Sequence, residues 1–516
     1  MDTMNTTNKS IQDVAALLRA RNTLLWIVSR EEVRVERGIF EAAQQAQYAP
    51  RYWDCATGLS DFSGAAIDQS VVDPSAALSF IRDRTDRAVY ILRDLHKWLA
   101  DPTVLRGVRT LARNLSLTPR DQARAMIVLS PSSEIPAELA GHAIVIDWPL
   151  PTREEIGAIL DSVINALPEA LKASAAPNGT REAAIDAAVG LTAEEIQSCY
   201  AKSLVQSRKI TPADVAGEKK RVIAREKVLE WIDPLEAGLD SVGGLEVLKD
   251  WLKSRKQAFT KKARDYGLPA PKGALLVGVP GCGKSLTAKA IATAWGVPLL
   301  RMDLGALKSK WVGESEGNIR KALKVAETVA PCVVWLDEIE KALSGATQGA
   351  ADGGVSADAL GAILSWMQER AGSVFVIATA NDVRALPPEL LRKGRFDELW
   401  FVDLPNQAER TAIVAAALKS NKRTEQIDLV RVAQACIDFT GAEIAALVPE
   451  ALYAAFADNA RALSTADLLT VAANTVPLAK TSAEKIAQVR DWAKGRARNA
   501  SAVESTTNKS VRSLDL

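Results

Sequence analysis

Short apolar runs in the C-terminal half of the chain predict buried strands. They lie at residues 274–277, 298–302, 333–336 and 374–378. The apolar residues are continuous rather than alternating with polar ones, which is typical of parallel strands covered on both faces. Segments that suit helices follow at residues 286–295, 408–418 and 442–463. The pattern predicts an α/β fold, in which a parallel sheet is followed by a helical lid.

The N-terminal half repeats this pattern with altered side chains. Residues 89–99 align without gaps to residues 333–343, so that Arg93 falls on Asp337 and Asp94 on Glu338. Further matches in the same order join residues 127–131 to 377–381, 135–139 to 386–390, 150–151 to 404–405, 191–196 to 439–444 and 210–214 to 463–467. The repetition predicts a second module of the same kind at residues 15–220. An unrelated α/β domain is the alternative.

A glycine-rich turn joins the strand at residues 274–277 to the helix after it. Its sequence, Gly278-Val279-Pro280-Gly281-Cys282-Gly283-Lys284-Ser285, fits the phosphate-binding pattern G-x-x-x-x-G-K-[ST] at every fixed position. The glycines let successive backbone N–H groups face one anion, and the helix N-terminus adds partial positive charge. Lys284 can then reach the outer phosphates of a nucleotide, and Ser285 can ligate Mg²⁺. A plain turn is the alternative, but such turns seldom carry the Lys-Ser pair.

Polar side chains follow two further strands at their carboxyl ends. Asp337 and Glu338 follow residues 333–336, and Asn381 closes the run after residues 374–378. Ligands of open parallel sheets bind at this edge. We expect Asp337 to hold Mg²⁺ through its water shell, Glu338 to polarise the attacking water, and Asn381 to touch the γ-phosphate or the water. Solvated strand ends are the alternative for either strand alone, but the order of all three motifs favours ATP hydrolysis.

Residues 278–397 closely resemble the AAA ATPases of the large AAA+ group. Four more segments carry the resemblance: the adenine-side motif Val242-Gly243-Gly244-Leu245, the pore-loop motif at residues 310–316, the arginine-finger segment at residues 390–397 and the lid motif Phe439-Thr440-Gly441-Ala442-Glu443. Together they cover residues 240–478. With the upstream half, the whole chain resembles the AAA proteins of unassigned function encoded in algal plastids and cyanobacteria, which have relatives in other bacteria.

The resemblance implies roles for single residues. Nucleotide contacts are implied for Val242, Gly243, Pro280, Gly281, Cys282, Gly283, Lys284, Ser285, Leu286, Gly441 and Ala442, Mg²⁺ ligation for Ser285 and Asp337, and catalysis for Glu338, Asn381, Arg392 and Arg395. The lid arginine of other AAA+ proteins is missing, and Glu443 is no substitute cation. Cys282 stands where small or hydroxyl residues are commoner, so that we expect normal binding but activity sensitive to thiol oxidation.

Arginine fingers and pore loops imply an assembly. A guanidinium that acts on a neighbouring subunit's ATP has no such role in a monomer, so Arg392 and Arg395 imply a closed oligomer, by family analogy a hexameric ring. Solvated helix-end charges are the alternative. Lys310, Trp311 and Val312 resemble a loop whose aromatic ring grips an extended protein chain in the central pore, although Trp311 would equally suit packing into the core. The glycine-rich residues 345–354 suggest a second pore loop.

The N-terminal module lacks a phosphate loop at the expected place. The strand at residues 23–28 runs into Ser29-Arg30-Glu31-Glu32-Val33, without glycine and without the Lys-Ser pair. These side chains would fill the space of a triphosphate, and the two glutamates would repel it. We therefore expect this degenerate module neither to bind nor to hydrolyse ATP, and to serve as a docking surface, a lid or a second tier.

Composition narrows the function classes. The 516 residues include 64 basic and 63 acidic ones, a net charge of +1, which makes gross attraction to nucleic acid improbable. The sequence contains no run of 18 apolar residues, so we expect no membrane span. The polar residues at its start are unlike a secretory signal. The five cysteines are scattered without metal spacing, which favours a reducing cytoplasm or the equivalent plastid stroma, and the two histidines suggest no metal site.

The motifs divide the chain into seven segments. They are a disordered N-terminus at residues 1–14, a degenerate AAA-like α/β domain at 15–148, its helical lid at 149–220, a linker at 221–239, the large ATPase subdomain at 240–404, its helical lid at 405–478, and a C-terminal helix with a disordered tail at 479–516. The tail begins at about residue 499.

Two classes of function remain open. The first is a hexameric, ATP-driven motor that remodels or threads a protein client, selected by the N-terminal module. The second is an ATP-dependent switch or scaffold that regulates a partner without threading. A DNA-acting motor is a weaker third class, because the charge is balanced and no basic arm is present. The identity of the client does not follow from the sequence.

Overall fold

Two seven-stranded sheets, one in each half of the chain, organise the fold. The structure, a computed structural model, describes residues 6–132, 134–175, 180–226, 228–235, 238–259, 263, 266–305, 315–341, 355–370, 373–392 and 394–502. The chain divides into two units, Met1–Lys219 and Lys220–Leu516.

The first unit alternates strands and helices. Its strands are β1 (Leu24–Val28), β2 (Ala49–Asp54), β3 (Gly58–Ser60), β4 (Ala66–Asp68), β5 (Ala88–Arg93), β6 (Arg124–Ser130) and β7 (Ile144–Asp147). Its helices are α1 (Thr6–Arg19), α2 (Glu32–Ala46), α3 (Pro74–Asp83), α4 (Pro102–Leu115), α5 (Ala137–Ala140), α6 (Arg153–Asn165), α7 (Glu169–Ala175), α8 (Thr180–Ala188) and α9 (Ala193–Ser207), and the unit boundary falls within α10 (Pro212–Glu226).

The first sheet has the strand order β4-β3-β2-β5-β6-β1-β7. The five neighbouring strands β2, β5, β6, β1 and β7 are parallel. Strands β3 and β4 extend the sheet at the β2 edge as an antiparallel hairpin. Successive side chains of β1 enter cores on opposite faces, with Leu24 and Trp26 on one face and Leu25 and Ile27 on the other. Both faces are therefore covered, as the continuous apolar runs predict.

The second unit has the same kind of alternation. Its strands are β8 (Glu230–Ile232), β9 (Gly273–Gly278), β10 (Leu299–Met302), β11 (Cys332–Leu336), β12 (Val374–Ala380), β13 (Glu398–Val402) and β14 (Arg498–Asn499). Its helices are α11 (Glu246–Lys256), α12 (Lys284–Trp295), α13 (Ser315–Val329), α14 (Val355–Glu369), α15 (Gln407–Ser420), α16 (Leu429–Ala435), α17 (Gly441–Ala457), α18 (Thr465–Asn474), α19 (Leu478–Thr481) and α20 (Ala483–Ala493).

The second sheet repeats the topology of the first. Its order is β14-β13-β9-β12-β11-β10-β8, and the strands from β13 to β10 are parallel. Numbered along the chain within their unit, and leaving aside the two-residue strand β14 that also runs parallel to β13, the five parallel strands stand in the order 5-1-4-3-2 in both sheets. The structure thus confirms two α/β modules of one architecture, and an unrelated N-terminal domain is set aside. Helices α15–α18 enclose the separate apolar core of the second module's lid.

Three short segments differ from the sequence-based expectation. Residues 6–14 belong to α1 rather than to a disordered start, because Ile11 and Val14 pack into the first unit's core. The expected linker contributes β8, which pairs antiparallel with β10. The expected disordered tail contributes β14 beside β13, and Ala500 is fully buried. None of the helices described is long and apolar enough to cross a membrane.

Candidate nucleotide-binding site

The glycine-rich turn forms a cradle between β9 and α12. Gly278, Gly281 and Gly283 have positive φ angles of 147°, 76° and 94°, a region that side chains disfavour. A Cβ at Gly278 would lie 2.0 Å from the carbonyl oxygen of Val402. Helix α12 begins at Lys284 without a side-chain cap, which leaves its first N–H groups free of a local side-chain acceptor. This backbone fits a phosphate group, as its sequence predicts.

The Lys284 ammonium group lies inside the cradle. Its Nζ donates hydrogen bonds to the carbonyl oxygens of Gly278 at 2.9 Å and Val279 at 2.8 Å. The side chain is buried, and this burial lowers the pKa of Lys284 to about 8. Phosphate oxygens would offer the same ammonium group stronger, charged acceptors than the two carbonyls.

The two candidate metal ligands lie side by side. Ser285, in the first turn of α12, donates from Oγ to Asp337 Oδ1 at 3.2 Å, and Thr379 donates to the same oxygen at 2.7 Å. Hydroxyl and carboxylate oxygens are the hard donors that suit Mg²⁺, so this pair fits the ion. Sequence reasoning missed Thr379. Its polar side chain near the end of an apolar strand was the available signal.

Glu338 and Asn381 meet at the same edge of the sheet. Asn381 Nδ2 donates to Glu338 Oε1 at 3.1 Å, while Lys341 Nζ lies 2.5 Å from the other carboxylate oxygen. The backbone of Glu338 is left-handed, with φ of 47°, and its N–H donates to Thr379 Oγ1 at 3.0 Å. A left-handed backbone at a non-glycine residue is costly, and such strain is concentrated at functional sites.

Glu340 is a second acidic residue of this edge, and sequence reasoning did not single it out. Its side chain is buried, and Oε1 accepts a hydrogen bond from the backbone N–H of Asn381 at 2.9 Å. Burial raises the pKa of Glu340, and the hydrogen bond from Asn381 opposes that rise. The sequence offered one signal for Glu340: it is a third acidic residue close after the buried strand, separated from Asp337 and Glu338 only by Ile339.

The lid of the second module contacts the cradle directly. Ala442 N–H, in the first turn of α17, donates to Gly281 O at 2.8 Å. A Cβ at Gly281 would lie 3.1 Å from Thr440 Oγ1, so a larger residue would push this contact apart. Glu443 caps α17 through Thr440 and accepts from Leu478 N at 2.8 Å. Glu443 thus acts as a structural cap, in keeping with its predicted failure to replace a cation.

The adenine-side motif packs against the next lid helix. Leu245 N–H donates to Glu409 Oε1, on α15, at 2.9 Å. A Cβ at Gly243 would lie only 2.6 Å from Ile413, which explains glycine at this position. Val242 is buried, whereas Leu286 on α12 is partly exposed. The predicted nucleotide contacts from three separate parts of the chain therefore converge on one region.

Cys282 is less reactive than the sequence suggests. Its side chain is buried within the cradle, and this burial raises the pKa of the thiol to about 11. The thiolate is the form that is oxidised or alkylated readily, and a raised pKa makes it scarce at neutral pH. The expected oxidation sensitivity of the site therefore has no support from the surroundings of this residue.

The predicted arginine fingers follow a short 3₁₀ turn, and the predicted pore-loop residues lie outside the described residues. Arg392 is exposed after a short 3₁₀ turn, Pro388–Leu391, and Arg395 is half-buried and donates to the carbonyl oxygen of Glu389. Lys310, Trp311 and Val312, together with residues 345–354, lie outside the residues that the structure describes.

The corresponding turn of the first module is filled by its own side chains. Three residues separate β1 from α2, against five between β9 and α12. Glu31 is buried in this turn, and Oε1 accepts from the N–H of Ala193, at the start of α9, at 2.6 Å. Arg34 pairs with the other carboxylate oxygen at 2.5 Å. A carboxylate of the chain thus lies in this turn and binds the first N–H group of the lid helix α9.

The metal position of the first module holds a cation. Arg93, which aligns with Asp337, pairs with Glu36 at 2.6 Å, Asp54 at 3.2 Å and Glu32 at 3.3 Å. Hydrogen bonds to Glu36 raise the pKa of Arg93. The next residue, Asp94, has a left-handed φ of 53°, close to the 47° of Glu338. The backbone of the site is retained, and its charge is reversed.

Fold and site together define a nucleotide-binding protein of the AAA type, and comparison with known proteins agrees. Sequence models of three protein families match this chain: "ATPase family associated with various cellular activities (AAA)" at residues 274–404, "SpoVK-like AAA ATPase, N-terminal domain" at residues 10–148, and "SpoVK-like AAA ATPase, second domain" at residues 154–226.

Whole-length relatives extend this result to both modules. Among them is the "Uncharacterized AAA domain-containing protein ycf46" of Guillardia theta, which is 37% identical over 494 residues, 94% of each chain. Proteins of the same description are 37% identical in Pyropia yezoensis over 95% of this chain and 99% of theirs, and 35% identical in Trieres chinensis over 96% and 99%. The chain therefore belongs to the AAA ATPase family, which confirms the resemblance stated from its motifs.

Proposed function

We propose that the second module hydrolyses ATP. The observation that carries the proposal is the contact network at the carboxyl edge of its sheet, where Ser285 meets Asp337 and Asn381 meets Glu338 beside the glycine cradle. Ser285 and Asp337 would hold Mg²⁺, which neutralises charge on the phosphates when bound. Lys284 would exchange its two carbonyl acceptors for phosphate oxygens.

Glu338 is the proposed general base. Its carboxylate is oriented by Asn381 and is partly exposed, so a water molecule can reach it. The carboxylate orients this water and takes its proton, while Asn381 limits the rotation of the carboxylate. A positioned base of this kind contributes roughly 10²–10⁴-fold to a rate.

The first module is proposed to be inert towards nucleotide. Glu31 supplies negative charge where phosphate would bind, and Arg93 supplies positive charge where Mg²⁺ would bind. Both exchanges oppose Mg-ATP electrostatically, and the shortened turn removes the backbone cradle. The module would then serve in docking or regulation.

The proposal extends to a ring that acts on protein. Arg392 and Arg395 support a homo-oligomer in which each finger completes a neighbour's site, most simply a hexamer. Trp311 supports threading of a protein client through the pore. The second candidate, a switch or scaffold without threading, keeps the ATPase and the ring. Either function would operate in the cytoplasm, or in the stroma of plastids, without nucleic acid as a partner.

The Glu338→Gln variant tests the hydrolytic step. It should bind ATP with near-normal affinity but hydrolyse it about 10²-fold more slowly or worse, because the base is lost. Asp94→Asn is the matched control, since Asp94 takes the equivalent position in the first module, and its ATPase rate should be unchanged. Equal ATPase rates of Glu338→Gln and the parent protein, measured by phosphate release, would exclude the proposed base.

The Lys284→Ala variant tests how many sites bind nucleotide. It should abolish binding of a fluorescent ATP analogue, because the ammonium group of the only proposed cradle is gone. Normal affinity in this variant would show that the first module binds nucleotide.

Trp311→Ala separates the two candidate functions. Clients are first captured with the Glu338→Gln variant, which should hold them in an ATP-bound state, and are then supplied to the Trp311→Ala variant. A threading machine should keep most of its ATPase and lose work on the captured client. A switch should lose neither.

A further inference from the structure

We propose that Glu340 is a positioning residue for ATP hydrolysis, acting through the backbone of Asn381. The proposal rests on the ATPase function proposed above. Glu340 lies in the helical residues that follow β11 and its two-residue turn, and Asn381 lies directly after β12. Their hydrogen bond, from Asn381 N–H to Glu340 Oε1 at 2.9 Å, joins the ends of two neighbouring strands.

The hydrogen bond is placed to control the geometry of the proposed base. The backbone of Asn381 is held by Glu340, and the side chain of Asn381 holds Glu338 at 3.1 Å. Glu340 therefore fixes the base indirectly, from a buried position. Its carboxylate also acts electrostatically on Lys284 in the cradle. A displacement of about 1 Å at a reacting group can cost on the order of 10²-fold in rate.

Burying a carboxylate here is costly, which argues against an incidental contact. Glu340 is only 4% exposed, and besides Asn381 the backbone N–H groups of Asp382 and of Glu340 itself interact with its carboxylate. Burying a charged group costs free energy that such hydrogen bonds must offset. An apolar residue would fill this space at lower cost, so the acceptor for Asn381 is the feature that glutamate adds.

The first module provides an internal comparison. The pairing of β5 with β6 places Leu92 opposite Val128, and the pairing of β11 with β12 places Leu336 opposite Ala378. This register puts His96 at the position of Glu340 and Pro131 at that of Asn381.

The inert module has lost both partners of the bond. Proline has no backbone N–H to donate. The two ring nitrogens of His96 are buried, and no hydrogen-bond partner for either is found within the described part of the chain. The N–H donor and the carboxylate acceptor are absent together in the module whose metal position holds Arg93, while the strand order is unchanged. This is the pattern expected of a bond that serves catalysis rather than the fold.

Glu340→Met and Glu340→Gln test the inference in the full-length protein. Methionine fills a similar volume without a comparable acceptor, whereas glutamine keeps a carbonyl oxygen for Asn381. We expect Glu340→Met to lower kcat about tenfold or more with KM for ATP within about twofold. Glu340→Gln should stay within about threefold of the parent kcat. Equal kcat losses in both variants, or an unchanged kcat in Glu340→Met, would overturn the inference.

A double-mutant cycle with Asn381→Ala identifies the route of the effect. If Glu340 acts through Asn381, adding Glu340→Met to Asn381→Ala should lower kcat by less than about twofold further, because the base is already released. Full multiplication of the two losses would show independent action and overturn the inference.

Two further outcomes keep the test decisive. If Glu340→Met does not fold, Glu340→Asp replaces it in the test, because the aspartate side chain is one methylene shorter and its carboxylate does not reach the Asn381 N–H. In Glu340→Asp, kcat should fall while KM is retained. An unchanged kcat would overturn the inference. A parent protein that does not hydrolyse ATP would refute the proposed function itself, whereas an active parent with an unaffected Glu340→Met variant would refute only this inference.

Discussion

At the scale of single residues, the two modules differ in charge more than in backbone. Glu338 and Asp94 share a left-handed conformation at the end of matched strands. The residues before them, Asp337 and Arg93, carry opposite charges. Each has partners that match its charge: two hydroxyl groups donate to Asp337, and three carboxylates pair with Arg93. The scaffold of the site can thus persist after its ligand chemistry is lost.

Local spacing predicts some of these residues but not others. Lys284, Ser285, Asp337 and Glu338 stand in short patterns whose chemistry can be read directly from the letters. Thr379 and Glu340 cannot be found in this way. Their contacts depend on the register between β11 and β12, which places residues about 40 positions apart side by side.

The thiol of Cys282 should be slow to react. Its pKa of about 11 leaves about one molecule in 10³ as thiolate at pH 8, and burial limits access further. Peptide mass spectrometry after brief treatment with iodoacetamide should find Cys55, which is exposed, alkylated well before Cys282. Labelling of Cys282 should rise with pH towards 11. Rapid labelling of Cys282 at pH 7, with loss of ATPase, would contradict this.

At the scale of elements, long segments are predictable and short edge segments are not. The order of strands in the first sheet follows from its repetition of the second half. The edge strands β8 and β14 contain three and two residues, too few for any periodicity to show. They exist because a neighbouring strand offers hydrogen bonds; Ala500 N–H, for example, donates to Phe401 O at 2.9 Å.

The two modules dock a lid helix on the strand-to-helix turn by different means. In the second module the acceptor is the backbone oxygen of Gly281, and in the first it is the buried carboxylate of Glu31. A carboxylate is the stronger acceptor. Glu31 also pairs with Arg34, which donates to the carbonyl oxygen of Pro149. The lid helix α9 of the first module is therefore held by a side chain of the same module.

Removal of the Glu31 carboxylate should loosen that lid. Glu31→Ala leaves Arg34 without its closest charged partner and Ala193 N–H without its acceptor, a loss of roughly 3–5 kcal/mol for a broken buried pair. Hydrogen–deuterium exchange should rise in α9, and the thermal midpoint should fall. Glu182→Ala, which breaks an exposed ion pair in the same lid, is the control and should change neither measurement appreciably. Unchanged exchange in Glu31→Ala would exclude the tie.

At the scale of the whole molecule, one architecture occurs twice with different side chains at the site. Both modules show the parallel order 5-1-4-3-2, but of the two described turns only the second has the glycine cradle, beside the Ser285–Asp337 pair that is proposed to hold Mg²⁺. The sequence predicts this difference between the modules, because it shows both the repeated pattern and the absence of the glycine-rich phosphate-binding motif from residues 29–33. No short sequence pattern predicts the assembly of several chains directly. Its prediction depends on the proposed roles of Arg392 and Arg395.

Mixing two inactive variants should restore part of the activity if the fingers act between subunits. In mixed rings an Arg395→Ala subunit keeps its cradle and can receive Arg395 from a Lys284→Ala neighbour, once that arginine releases the carbonyl oxygen of Glu389. Phosphate release should therefore exceed the sum of the separate variants. A mixture of Lys284→Ala with the Lys284→Ala, Arg395→Ala double variant contains no intact cradle and should stay inactive. Failure of the first mixture, with mixed rings demonstrated, would argue against fingers in trans.

The carboxylate in the turn of the first module is joined to its site by covalent bonds, and so it never dissociates. Because Glu31 is part of the chain, its presence in this turn does not depend on the concentration of ATP or ADP. Under the proposed function, changes in the ATP concentration therefore act on this protein through the second module alone.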